Sequence, residues 1–235
     1  MQAFLKNQRV LLTGFHDTNV KAAKYVEQLG GEALHCPLQE MTILPGSIRL
    51  LGKSDWIIFT SPASARLYMQ HIYPLSGFDK AVCVGPGTRA ALEDDYGRAC
   101  NFIPDANYSS LGLAKAMCKE KELFLNKKIL FPCSQLASHA LEQTLAEVGI
   151  SIQRHDFYKP ESKQLASIPD FDALCFFSPS AVQSLGELKG AGFLKGKKVA
   201  LIGSSTAEAF EEIFGSDYTK ASEATAEQTV LALYQ

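Results

Sequence analysis

Short apolar runs recur along this chain, each bounded by turn residues and followed by a stretch whose apolar positions return with helical spacing. The runs are Val10–Thr13, Trp56–Phe59, Ala81–Val84, Ile129–Phe131, Leu174–Phe177 and Val199–Ile202. Runs of this length and make-up predict strands. Strand alternating with helix predicts an α/β fold of parallel sheets with helices on both faces. Right-handed crossovers put the loops that follow the strands along one edge of each sheet, where ligands of such sheets bind.

The pattern also repeats. WIIFTSPASARLY from Trp56 returns as LCFFSPSAVQSL from Leu174, and AVCVGPGTRAALEDDYG from Ala81 as VALIGSSTAEAFEEIFG from Val199. VLLTG near Val10 matches KILFP near Lys128, and AAKYVEQLGGEA matches ALEQTLAEVGIS, all at an offset of about 118 residues. Four pairs in one order at one offset mean two copies of one unit. Each copy suffices for a small doubly wound domain, and two such domains facing each other would leave a cleft. Two extended, proline-containing segments fall outside the alternation: EALHCPLQEM (Glu32–Met41) and SIQRHDFYKP (Ser151–Pro160). If they stay within their own copies, the domains are sequential. If they cross over, one domain is built from both chain ends and the other from the middle. Periodicity leaves both arrangements open.

Two kinds of loop recur after the strands. FTSPAS (Phe59–Ser64) and FFSPSA (Phe176–Ala181) join a serine to a proline, which starts a helix: the hydroxyl caps free amides and proline suits the first turn. GPGTRA (Gly85–Ala90) and GSSTAE (Gly203–Glu208) open with glycine, and their Ser or Thr is expected to cap the next helix. Capping alone explains any one of these loops. Four gathered at one cleft would present unpaired amides and partial positive charge to carboxylates or phosphates.

Composition narrows the chemistry. The chain has 235 residues, 46% hydrophobic and 20% charged, with a net charge of -2. That is a soluble globular profile without the basic excess of a duplex-binding protein. No apolar run approaches membrane-spanning length, and MQAFLKNQRVLLTG has no apolar core of a leader. The six cysteines, at 36, 83, 100, 118, 133 and 175, form no CxxC pair and suit a reducing compartment, so the cytoplasm is expected. The five histidines show no ligand spacing, so no metal site is expected. GPGTRA fits a loose dinucleotide fingerprint with Asp105 beyond it, which keeps a nucleotide-dependent oxidoreductase as one reading. Its sister loop lacks the glycine pattern, and the fingerprint belongs after a first strand. No phosphate loop of the GxxxxGK type and no GxSxG elbow occurs. Tyr158, at the end of the second extended segment, is most simply a half-buried strand residue. Its phenol could also donate a proton in a cleft.

Taken in order, SDWIIFTSPASA, VGPGTRAAL, LEQTLAEVGISIQRHDFYKP, FDALCFFSPSAV, KKVALIGSSTAEAF and ASEATAEQTVLAL resemble the uroporphyrinogen-III synthase family nearly end to end. The resemblance implies two doubly wound parallel-sheet α/β domains joined by a two-stranded antiparallel linker. Residues 1–35 and 161–235 would form one domain and 42–153 the other, with linker strands at about 36–41 and 154–160. It implies a lyase that cyclises hydroxymethylbilane to uroporphyrinogen III with loss of water and inversion of ring D, without a cofactor. Loss of the terminal hydroxyl gives an azafulvene, ring D attacks through its substituted carbon, and the spiro-pyrrolenine fragments and recloses. Partners implied are the bilane alone, with no nucleic acid or membrane, in a monomer that transiently meets the preceding pathway enzyme. By position Tyr158 matches the tyrosine that assists hydroxyl loss. Substrate-binding positions are Ser61, Ser64, Gly85, Thr88, Ser178, Ser180, Lys198, Gly203, Ser205 and Thr206. The chain departs from the family pattern at Gly14 and in PCSQLASH, where many members carry arginine. Carboxylate binding then falls to other cations, such as Lys21, Arg66 or Arg89. The alternative is a two-lobed protein holding an anionic ligand or tetrapyrrole without catalysis.

Overall fold

The computed structural model describes residues 4–234. Strand and helix alternate as β1 (Arg9–Leu12), α1 (His16–Gln28), β2 (Glu32–His35), β3 (Gln39–Ile43), β4 (Ser54–Phe59), α2 (Pro62–His71), β5 (Phe78–Cys83), α3 (Pro86–Tyr96) and α4 (Ser110–Lys119). They continue as β6 (Ile129–Ser134), α5 (Ala140–Ala146), β7 (Ile152–Ser162), β8 (Ala173–Phe176), α6 (Pro179–Lys189), β9 (Lys198–Leu201), α7 (Ser204–Phe214), β10 (Thr219–Lys220) and α8 (Ala226–Leu231). The apolar runs became strands because both faces of each sheet are covered. In β1, Leu11 faces α6 and α7 with Leu174, Phe176, Val199 and Leu201. Val10 and Leu12 face α1 and α8 with Ala173, Cys175 and Ala200. A strand buried on both sides reads as an unbroken apolar run rather than an alternating one.

The chain divides into two compact units, one of Met1–Met41 with Pro160–Gln235 and one of Thr42–Lys159. The first unit's sheet has the order β10-β9-β8-β1-β2, with every neighbour parallel. The second has the order β3-β7-β6-β4-β5, parallel from β7 to β5. A parallel bridge from Val82 to Phe102 adds a minimal strand beyond β5. Set in the register of the sequence repeat, β2-β1-β8-β9-β10 and β7-β6-β4-β5-Phe102 are the same 2-1-3-4-5 order. Each unit takes two strands from one copy and the rest from the other.

β3 and β7 carry the chain from one unit to the other. Leu44 N donates to Phe157 O at 2.9 Å and Lys163 N to Leu38 O at 2.9 Å. Residue numbers fall on one strand as they rise on the other, so these strands run antiparallel. β7 is more than a linker, however: up to Lys159 it lies within the second unit, paired with β6 from Ile152 to Tyr158.

His155 on β7 is 3% exposed, and its Nε2 lies 2.9 Å from Ser47 O. Burial holds its pKa below the ordinary 6.5, Arg49 nearby acts the same way, and the Ser47 bond and Asp156 oppose. The folded protein therefore keeps a neutral imidazole where the unfolded chain takes up a proton. Unfolded chains bind more protons between the depressed pKa and 6.5, so this stability is whole above that window and is lost as pH falls through it. The urea midpoint is expected to drop between about pH 7.5 and about pH 5.5. His155→Gln, which keeps an N–H for Ser47 O, should show a smaller drop; an equal drop would put the pH sensitivity elsewhere.

Candidate functional site

In a sheet of order 2-1-3-4-5 the loops part on either side of the first strand, and ligands bind at that switch point beyond the carboxyl ends. The second unit's switch lies between β6 and β4. There Ser61 caps α2, with Pro62 in the first turn. Ser61 Oγ accepts from Ser64 N at 3.0 Å, while Ser64 Oγ accepts from Ser61 N at 3.2 Å and donates to Ser61 O at 2.8 Å. This reciprocal capping box immobilises both hydroxyls. Tyr158, where the pairing of β7 with β6 ends, brings its phenol to 3.5 Å from Ser61 Oγ, a long hydrogen bond. The ring is 5% exposed and meets Phe157 edge to face at 4.9 Å. Burial raises the Tyr158 pKa above 10, and the Ser61 and Ser64 hydroxyls offset only part of that shift. Like any tyrosine near neutral pH, Tyr158 carries its proton and can act as a donor.

The first unit's switch lies between β1 and β8. Ser178 caps α6 through Ala181 N at 3.2 Å and lies 3.2 Å from Ser180 Oγ, which donates to Gln39 Oε1 at 2.7 Å. A small cavity of about 40 Å³ opens here, lined by Thr13, Gly14, Phe15, Thr18, Gln39, Phe177 and Ser178. Gly14 has little room for a side chain: a Cβ would sit 3.0 Å from Asn19 Oδ1, from Phe177 Cδ2 and from Thr18 Cβ.

The glycine loops differ from expectation. Gly85 and Gly203 are themselves the residues preceding α3 and α7, both with extended backbone, and no side chain caps either helix. Thr88 and Thr206 stand one turn in, too late to cap, and are buried at 2% and 1% exposure. Ser205 is exposed. First-turn amides of α3 and α7 consequently meet no side-chain acceptor, which suits an anion. The glycine of GPGTRA has an internal explanation: a Cβ at Gly85 would lie 2.9 Å from Tyr108 Cβ. The loop also follows β5, away from the switch point, and both facts remove the dinucleotide reading.

Within the second unit the structure brings Ser61, Ser64 and Tyr158 together; within the first it brings Ser178 and Ser180 together. Lys198 stands apart. It opens β9, paired with Ala173 at the amino ends of the strands, exposed and on the opposite edge from the loops. Of the cations expected to replace the family arginines, Arg66 Nε is paired with Asp95 at 2.6 Å and Arg89 Nε with Glu93 at 2.9 Å. Lys21 lines an open groove between α1 and α8 with Lys24, Tyr25 and Glu227. Gln39 was not visible as a site residue, although it lies in the segment that breaks the alternation.

Each of the two parallel α/β units, alike in topology, carries a capped serine loop at its switch point and an uncapped glycine loop, features that suit polar, anionic groups. The family model described as uroporphyrinogen-III synthase HemD matches residues 20–230. The chain therefore belongs to the uroporphyrinogen-III synthase family, cyclising lyases of tetrapyrrole biosynthesis. It is 26% identical over 215 residues to the chloroplastic uroporphyrinogen-III synthase of Oryza sativa subsp. japonica, covering 85% of this chain and 71% of that one. Its fold is similar to the crystal structure of uroporphyrinogen-III synthetase from Helicobacter pylori 26695, with a TM-score of 0.61 at 17% identity over 97% of this chain and 99% of that one. No helix among the described residues is long and apolar enough to cross a membrane.

Proposed function

We propose that the protein converts hydroxymethylbilane to uroporphyrinogen III, and that Tyr158 is the group that assists departure of the hydroxyl. The observation that carries the assignment is a buried phenol 3.5 Å from the fixed hydroxyl of Ser61 at a switch point. The phenol donates toward the leaving oxygen as the carbon–oxygen bond breaks, water departs, and the azafulvene forms as its N-protonated azafulvenium cation beside the phenolate. The proton released when the new ring rearomatises restores the phenol. Closure at the substituted carbon of ring D is then a matter of orientation, which a bound conformation supplies. In the second unit the helix start at Gly85 with Thr88, and in the first unit those at Ser178 and Gly203 with Ser180, Ser205 and Thr206, offer backbone amides and hydroxyls of the kind that receive carboxylates.

The protein works without a cofactor, as a monomer, and takes the short-lived bilane by transient contact with the enzyme that makes it. Six free thiols suit a reducing compartment, and the cytoplasm is the proposed location. A binding protein without turnover is the second reading, favoured by the lack of room for a side chain at Gly14.

Catalytic amounts of protein added to freshly made hydroxymethylbilane should shift the oxidised porphyrin product from type I to type III, read by separating the isomers. Product that stays type I while the bilane remains bound would support the second reading. No interaction with the bilane would remove both.

A further inference from the structure

β7 changes register just before Tyr158. Cys133 of β6 faces Asp156, but Ser134 faces Tyr158, so Phe157 is an extra residue on the β7 side. A bulge of this kind re-aims the side chain that follows it. His155 and Phe157 stack on one face at 5.8 Å, and Tyr158 is freed to turn toward α2 and Ser61.

One side chain holds that irregularity in place. Arg154 is on β7, and its side chain is only 14% exposed. It binds Asp156 Oδ1 at 2.7 Å and Glu142 Oε1 at 2.7 Å. It also donates to three carbonyls at the end of β6 and in the loop after it: Ser134 O at 3.3 Å, Ala137 O at 2.9 Å and Ser138 O at 3.4 Å. Asp156 in turn accepts from Cys133 Sγ at 3.3 Å, across the last regular pair before the bulge. The loop so gathered returns to the tyrosine itself, since Gln135 N donates to Tyr158 O at 2.8 Å. Only a planar fork with several fixed donors can serve two carboxylates and three carbonyls at once. Stability alone explains this cluster poorly: Glu142 keeps a second, buried oxygen without a partner.

We propose that Arg154 is the positioning residue of Tyr158, clamping the bulge in β7 and the 135–139 loop in the register that presents the phenol to Ser61. The proposal rests on the reading in which Tyr158 assists hydroxyl loss, and its test includes one measurement independent of turnover. Arg154→Met should lower kcat about 10²-fold, the usual cost of a reacting group displaced by an ångström, with KM changed less than about threefold. Arg154→Lys, which keeps the charge but not the fork, should fall between wild type and Arg154→Met. In the double variant Arg154→Met with Tyr158→Phe, the two losses should not multiply, because both remove the same placed phenol. Removing Arg154 strands the Glu142 carboxylate, so the same comparison is run in a Glu142→Gln background where Arg154→Met alone is found unfolded by circular dichroism.

The turnover-independent readout is ultraviolet titration of tyrosine, taken as the difference between each protein and its Tyr158→Phe counterpart. Tyr158 should ionise closer to the ordinary value of 10 once Arg154 is replaced. Multiplying rate losses together with an unchanged Tyr158 titration would overturn the proposal. Wild-type protein without isomer activity would end the synthase reading, and the titration alone would then decide whether Arg154 places Tyr158.

Discussion

Tyr158→Phe is expected to slow turnover of hydroxymethylbilane by about 10²–10⁴, the range for loss of one general acid, while the product stays mainly type III. The variant keeps the ring that packs on Phe157 and removes only the oxygen near Ser61. Isomer choice and hydroxyl departure are separable tasks. The first depends on how the bilane is folded when its ends meet, the task the proposed function gives to the helix-start loops. The second needs a donor at the leaving oxygen. Stability should change little, because the phenol's contact with Ser61 is long, at 3.5 Å. Single-turnover rates with isomer separation check the result, and thermal melting checks the fold. Full turnover in a folded variant would make Tyr158 a strand residue only, and the proton would then come from water or from the substrate's own carboxyl groups.

The other large effect concerns where the middle unit ends. Fragment 42–159 should fold cooperatively by itself, and fragment 42–153 should not. β7 lies inside its sheet, between β3 and β6. Cutting after Gln153 removes His155, Phe157 and Tyr158, all buried. It also removes the acceptors for Leu44 N, Ser47 Oγ and Gln135 N, and the partner of Ser47 O. Loss of one buried aromatic side chain typically costs about 3–5 kcal/mol, a large fraction of the stability of a domain this size. Urea unfolding followed by circular dichroism and tryptophan fluorescence decides, since Trp56 is buried in this unit. A cooperative transition in 42–153 would make β7 a linker after all.

Several features of the site were legible in the residues because they depend on local rules. Ser61-Pro62 and Ser178-Pro179 announce capped helix starts, and both serines cap as expected. The glycine loops were read less well. A threonine three residues after the glycine looks like a cap in the sequence, but a cap must precede the first turn, and Thr88 and Thr206 fall inside it. Lys198 matches a family lysine by position. Its strand's direction puts it at the far edge, which no local pattern reports. In the sequence Arg154 is one polar position of an extended segment, with nothing local to mark it. Its partners come from residues 134 to 142 as well as from Asp156, and a strand pattern does not show which loop will fold over it.

The sequence by itself determined that the chain is α/β, that it carries two copies of one strand–helix unit, and which loops open the helices. Periodicity and capping are properties of neighbours along the chain, so they survive without the fold. Tertiary structure decided how the copies are shared out. β1 and β6 are equivalent, and either could pair with β4 or with β8 by pattern alone. The observed ladders join β1 to β8 and β6 to β4, so each compact unit mixes both copies. Tertiary structure also decided where Tyr158 points. That direction comes from a register shift between β6 and β7, a property of pairing that the order of residues on either strand does not contain.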